Sequence, residues 1–296
     1  MSKISIILPI YNVEKYIEDC LKSIQEQTFT DFEVIAVDDC GQDNSIAIYE
    51  SFMKNDSRFK LVKHEKNKGL SAARNTGISN SNSEYIVCID SDDWVEPILL
   101  EAVYNVFEKS EIEAVWFNAN MIQDSTGEHY STIFDPKKFL LNAGWMKITP
   151  QNFNKFPDYA WNKAYRKSAL EKYSLKFPEG LYFEDADFYL RAYTNIKKVY
   201  YIMTPLYNYR MREDSIVTGS SNLEKKFDDI FKLVERAYDY LIETNNFEKY
   251  KSILLESFCI KIKMVLIKNR YNFVTKLAKR TLKHIRFPEA YEDLKS

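Results

Sequence analysis

With 296 residues, 41 Lys and Arg against 43 Asp and Glu, a net charge of -2 and 45% hydrophobic residues, the chain has a globular composition. It is long enough for one sizeable α/β domain plus a further module, or for two domains. The near balance of charge excludes a wholesale nucleic-acid binder and a disordered acidic chain, and no run approaches the roughly 18 uninterrupted apolar residues of a bilayer span.

The opening MSKISIILPIYN reads as a buried strand and not as a signal peptide, because Pro9 and Asn12 soon interrupt its apolar run and no small-residue cleavage site follows. Val13 to Gln27 then carries Tyr16, Ile17, Cys20, Leu21 and Ile24 at helical spacing. The strand-helix alternation repeats: Phe32 to Asp38 precedes a helix over 44–53, FKLVKH precedes a helical segment over 69–79, and Glu84 to Asp90 precedes a helix from Pro97 to Lys109. Ala114 to Ile122 reads as another strand. Such alternation predicts a parallel sheet with helices on both faces. After about Gln123 the rhythm gives way to an aromatic-rich region in which Phe183 to Thr194 reads as one helix. From Asn222 onward the pattern is helical. Four widely spaced cysteines, with no CxxC pair, fit a reducing compartment and exclude a zinc site of ordinary spacing.

In open α/β sheets, ligands bind beyond the carboxyl ends of the strands, and here those ends are acidic: Asp38-Asp39 after one strand, and Asp90-Ser91-Asp92-Asp93 after another. Five acids brought to one edge repel one another unless a cation or ligand donors offset them, and hard oxygen ligands suit Mg²⁺ or Mn²⁺. Asp43 reads instead as a helix cap. There is no GxGxxG after the first strand and no GxxxxGK[ST], so dinucleotide and P-loop readings fail at their defining loops.

Four ordered blocks carry a resemblance: Leu8-Pro9-Ile10-Tyr11-Asn12 with Gln27-Thr28-Phe29, Asp31-Phe32-Glu33 and Val37-Asp38-Asp39; Asn67-Lys68-Gly69 through Arg74-Asn75-Thr76-Gly77; Ile89-Asp90-Ser91-Asp92-Asp93-Trp94 with Pro97; and Trp161-Asn162-Lys163, Phe183-Glu184-Asp185 and Tyr207 to Ser215. Over residues 1–215 the chain resembles the inverting family 2 glycosyltransferases of GT-A (nucleotide-diphosphosugar transferase) fold. That resemblance implies a catalytic domain over 1–218, with a nucleotide-sugar half (1–122) and an acceptor half (123–218), followed by a helical extension over 219–296. It implies that Pro9, Tyr11 and Asp39 hold the uracil of a UDP-sugar, that Arg74 approaches the base or diphosphate, and that Asp90 lies near the ribose. Asp92 is implied to bind Mn²⁺ or Mg²⁺. Asp185 is implied as the general base, assisted by Glu184, with Lys163 orienting the acceptor or screening the acids. Arg212 stands where many relatives place a metal-ligating His, and with Arg210 it is expected to bind phosphate oxygens.

The expected activity is metal-dependent transfer of a hexose or N-acetylhexosamine from a UDP-sugar to a hydroxyl of a glycan or lipid-linked glycan, in bacterial capsule, polysaccharide or lipooligosaccharide synthesis. The rival reading is a non-catalytic nucleotide-sugar-binding partner of another glycosyltransferase. Residues 257–287 hold nine Lys and Arg and no acid, interleaved with apolar residues. Such a segment suits an anionic membrane surface, which with a second copy of the chain is an expected partner, whereas nucleic acid is not. The expected location is cytoplasmic, peripheral on the inner face of the cell membrane.

Overall fold

The computed structural model describes residues 2–133, 144–212, 222–254 and 256, so the basic segment over 257–287 lies outside the described residues. The chain order is β1 (Ile4–Ile10), α1 (Ile17–Gln25), β2 (Phe32–Asp38), α2 (Ser45–Met53), β3 (Phe59–Lys63), α3 (Leu70–Asn80), β4 (Tyr85–Cys88), β5 (Trp94–Val95) and α4 (Leu99–Glu108). It continues with β6 (Ala114–Gln123), β7 (His129–Thr132), β8 (Gly144–Lys147), a 3-10 turn (Pro150–Lys155), β9 (Lys163–Arg166), α5 (Lys167–Lys172), α6 (Glu184–Asn195), β10 (Lys198–Met211) and α7 (Leu223–Glu243).

The strands form one sheet in the order β3-β2-β1-β4-β9-β6-β10-β5, with β7 beside β6 and β8 beside β10. The β3-β2-β1-β4 half is parallel, as the alternation predicts. Beyond β4 the sheet becomes mixed, because the short β9 runs antiparallel to both β4 and β6. Its four residues, Lys-Ala-Tyr-Arg, carry too little alternation to announce a strand.

Alternation along β1 divides the interior into two layers. Ile4, Ile6, Leu8 and Ile10 face a layer that includes Ile17, Leu21 and Ile24 of α1 and Leu100, Val103 and Phe107 of α4. Ile7 faces the other, where Trp116, Phe188 and Tyr189 meet Phe227, Ile230 and Leu233 of α7. Helix α7 therefore shares its core with β6 and α6. The approach of α3 to β1 is close enough that a Cβ on Gly77 would fall 2.5 Å from Ile7 Cγ2. Helix α1 begins at Ile17, later than the periodicity predicts, because Tyr16 and Ile17 N–H both turn back to the Val13 carbonyl after Asn12 takes a left-handed φ of 53°. Among the described residues, no helix is long and apolar enough to cross a membrane.

Candidate active site

The carboxyl ends of β1, β2 and β4 open onto a cavity of about 610 Å³. Its lining includes Pro9, Tyr11, Asp39, Gly69, Asp90, Asp92, Glu184, Arg212 and Lys225. Tyr11 is 48% exposed, an aromatic face left uncovered by the fold and available for stacking on a planar ring. Asp39 is buried and held from three sides: Oδ1 takes His64 Nδ1 at 2.7 Å and Lys68 N–H at 2.8 Å, while Oδ2 takes Gly69 N–H at 2.8 Å. Gly69, with φ +87°, makes that close turn possible. A carboxylate offers about four acceptor positions, so Asp39 keeps one for a ligand N–H.

The acid turn after β4 gives each carboxylate a different environment. Ser91 ties the turn to β1 by donating to the Pro9 carbonyl at 2.7 Å. Asp93 is buried, accepting the Tyr207 hydroxyl at 2.8 Å and the Arg210 N–H at 2.7 Å, and its role is to lock β10 against the turn. Asp90 pairs with Arg74 at 2.8 Å. Asp92 pairs with Arg212, whose guanidinium lies 4.9 Å from the Tyr16 ring centre. Burial pushes the Asp92 carboxyl above its ordinary range, and Arg212 opposes that shift.

Whether this donor set fits a divalent cation follows from its chemistry. Among the described residues, no three His, Cys, Asp or Glu side chains gather at cation-binding distance. A cation here would use one carboxylate, Asp92, and draw its other ligands from a bound diphosphate and water, an arrangement that Mg²⁺ commonly adopts. The residues fit on that condition, with Arg212 moving from Asp92 to phosphate oxygens.

Glu184, which lines the cavity, and Asp185, which is not among its lining residues, open α6 directly after Phe183, which sits in the left-handed region at φ 61°. Asp185 Oδ1 accepts from Arg74 at 2.8 Å and Oδ2 accepts the Ala160 N–H at 3.1 Å, leaving one lone pair on each oxygen. Glu184 accepts from the same Arg74 nitrogen at 2.8 Å. Burial, and then the neighbouring Asp185 charge, push the Glu184 carboxyl up to about 7 despite Arg74, and burial likewise raises Asp185.

Three expected positions depart from the resemblance. Arg74 is 1% exposed and does not reach the cavity; its guanidinium is consumed by Asp90, Glu184 and Asp185. Arg210 turns away from the Tyr11 cavity to Asp19, Asp124 and the Asp92 carbonyl, and lines a separate hollow beside Trp94. Lys163 is buried and directed at backbone carbonyls and Asn162, with no carboxylate among its hydrogen-bond partners. Three residues had no sequence signal. His64 joins Asp39 from the end of β3, and α7 supplies Lys225 to the cavity and Asp229, whose carboxylate holds the Tyr182 N–H at 3.0 Å just ahead of Phe183.

Comparison with known proteins matches residues 5–174 to the family described as glycosyl transferase family 2. The chain is 35% identical over 260 residues to EpsH of Bacillus subtilis (strain 168), covering 85% of this chain and 72% of that protein. It is 33% identical over 224 residues to the glycosyltransferase GlyA of Streptococcus pneumoniae serotype 4, covering 72% of this chain but only 31% of GlyA. Among solved structures, residues 1-349 of S. aureus TarS in complex with UDP-GlcNAc align with a TM-score of 0.70 at 23% identity, over 92% of this chain and 75% of that one. That likeness establishes the shared fold.

Proposed function

The chain belongs to glycosyl transferase family 2, and from that premise we propose that it transfers a hexose or N-acetylhexosamine from a UDP-sugar to a hydroxyl of a glycan acceptor, with inversion, in bacterial surface-polysaccharide or lipooligosaccharide synthesis. The observation that carries this reading is the gathering of acids at one cavity: Asp39, Asp90, Asp92 and Glu184 line it together with exposed Tyr11, and Asp185 stands next to Glu184 on the same Arg74 nitrogen. The UDP-GlcNAc bound by the TarS fold relative and the family membership support a nucleotide-sugar donor.

In this reading Tyr11 stacks on the uracil, and Asp39 uses its remaining acceptor position for the ring N–H. Held by His64 and two backbone amides, that carboxylate is fixed before the base arrives, so little ordering is spent on binding. Asp92 would hold a divalent cation, which when bound would neutralise charge growing on the departing diphosphate. Arg212 adds a planar fork for the same oxygens. Asp185 accepts the proton of the attacking hydroxyl, and Arg74, bonded to it and to Glu184, favours its ionised form against the effect of burial. The hydroxyl arrives on the face away from the diphosphate, which inverts the anomeric centre. A non-catalytic binder would have no use for a carboxylate pair fixed in this way.

A screen of UDP-sugars for hydrolysis or transfer, with Mn²⁺ present, tests the reading. The accompanying expectation is that UDP binds in calorimetry at least about tenfold more weakly with chelator than with Mn²⁺, equivalent to about 1.4 kcal/mol. Asp92→Ala should remove that difference. Equal UDP affinity with and without chelator in the wild type would take the metal out of the mechanism, and no UDP binding at all would remove the donor assignment.

A further inference from the structure

Lys163 opens β9 with its side chain 2% exposed. Its ammonium donates to the Pro157 carbonyl at 2.8 Å, the Tyr159 carbonyl at 2.6 Å and Asn162 Oδ1 at 2.6 Å. The rings of Tyr189 and Trp116 lie 5.1 and 5.8 Å away and close the remaining space. All three polar partners are pure acceptors here. A neutral amine has only two N–H groups, so the geometry requires the charged form. A methionine of similar length would bury without the cost of desolvating a cation, so stability alone does not call for a charge at this position.

The three bonds converge on the segment 157–162, and that segment touches both halves of the chemistry. Its Ala160 N–H holds Asp185 Oδ2 at 3.1 Å. Its Trp161 stacks on Tyr207, with ring centres 4.4 Å apart, and the Tyr207 hydroxyl donates to Asp93 and accepts the Asp90 N–H. One ammonium thus pins a loop lying between the carboxylate pair of α6 and the acid turn after β4.

We propose that Lys163 is a positioning residue for the transfer step: its ammonium fixes the loop 157–162 so that the Ala160 N–H holds Asp185 aimed at the acceptor hydroxyl. This inference rests on Asp185 being the base. Burial pushes the Lys163 amine down to about 7, opposed by the Asp158 and Asp185 charges that face it, while Trp116, Tyr189 and Asn162 contribute no charge. The sign is therefore fixed. The pin is intact below about pH 7 and is lost as pH rises through that value, whereas the carboxylates of α6 gain their working charge in the same direction.

The test compares wild type with Lys163→Met in three measurements. Turnover should fall by up to about 10²-fold, the scale of a 1 Å misplacement, while UDP affinity stays within about twofold. The alkaline limb of the wild-type pH profile of kcat should vanish in the variant, a change that loss of stability alone would not produce. Hydrogen exchange at the Ala160 amide should lose protection in Lys163→Met at all pH values, and in the wild type on raising the pH beyond the intrinsic dependence. Lys163→Gln, which retains two donors, should recover part of the turnover and serves in its place if the Met variant does not fold. Unchanged turnover, or a reduced turnover with the alkaline limb in place, overturns the proposal. If wild-type transfer is itself absent, the functional reading fails separately; the Ala160 exchange still decides the pin, and equal protection in both proteins overturns it.

Discussion

Replacing Asp185 with Asn is expected to lower kcat by about 10²- to 10⁴-fold, the contribution of a general base, while changing UDP affinity by no more than about twofold. The carboxylate is bonded through one oxygen to Arg74 and through the other to the Ala160 N–H. Asn can satisfy only one of these donors and must turn its NH₂ group toward the other. Its oxygen should stay with the charged Arg74, leaving the Ala160 amide unpaired, at a cost of about 1 to 3 kcal/mol of stability. Thermal unfolding measures that cost separately from the loss of turnover. The wild-type pH profile adds a second reading. Because burial raises both carboxyls, with the Asp185 charge adding to the shift of Glu184 and the Asp90 and Asp158 charges to that of Asp185, kcat/KM should begin to fall at a pH well above the range of an ordinary carboxylate. Removing the Asp185 charge should move the residual acid limb of the variant downward, since Glu184 loses its like-charged neighbour. Near wild-type turnover in Asp185→Asn would pass the role to Glu184.

The parallel half of this fold was legible because β1, β2 and β4 are apolar runs that lead into Pro, Asn or Asp, and α1 buries Ile17, Cys20, Leu21 and Ile24 at helical spacing. Tyr11, Asp39 and Asp92 line one cavity for the same reason, since residues just after strands must gather at one edge of a parallel sheet, whereas Glu184 reaches it from the start of α6. Pairings across the chain were not legible. His64 meets Asp39 only because β2 and β3 are neighbours in register, with Asp38 opposite Lys63. Arg74 was expected to approach a ligand because its block resembles the family's, yet the carboxylates that enclose it lie 16, 110 and 111 residues away. Helix α7 carries an amphipathic pattern that says it packs somewhere, and nothing in the pattern says that Asp229 would hold the loop ahead of α6. The mixed part of the sheet was hidden by brevity, since β9 is four residues long and gains its direction from β4 and β6 on either side.

The enclosure of Arg74 leads to an outcome opposite to the one its motif suggests. If its guanidinium bound the base or diphosphate, substitution would weaken UDP binding first. The geometry instead makes it the cation that pairs with Asp90, Glu184 and Asp185, with one nitrogen serving both acids of α6 and the other serving the acid turn. Arg74→Lys keeps the charge but loses the planar fork, and a point ammonium cannot keep all three partners at hydrogen-bond length. Its UDP affinity should stay within about threefold of wild type while kcat falls by about 10- to 100-fold, because the base is no longer held in place. Arg74→Met should go further. It leaves three carboxylates facing one another in a buried site, at a cost of about 3 to 5 kcal/mol in unfolding. It should also drive the acid limb of kcat/KM upward, since the cation that favours their ionised forms is gone. The direction of that shift separates the two roles. A residue that binds diphosphate would raise the UDP dissociation constant and leave the acid limb in place, and that result in Arg74→Lys would return Arg74 to the nucleotide site.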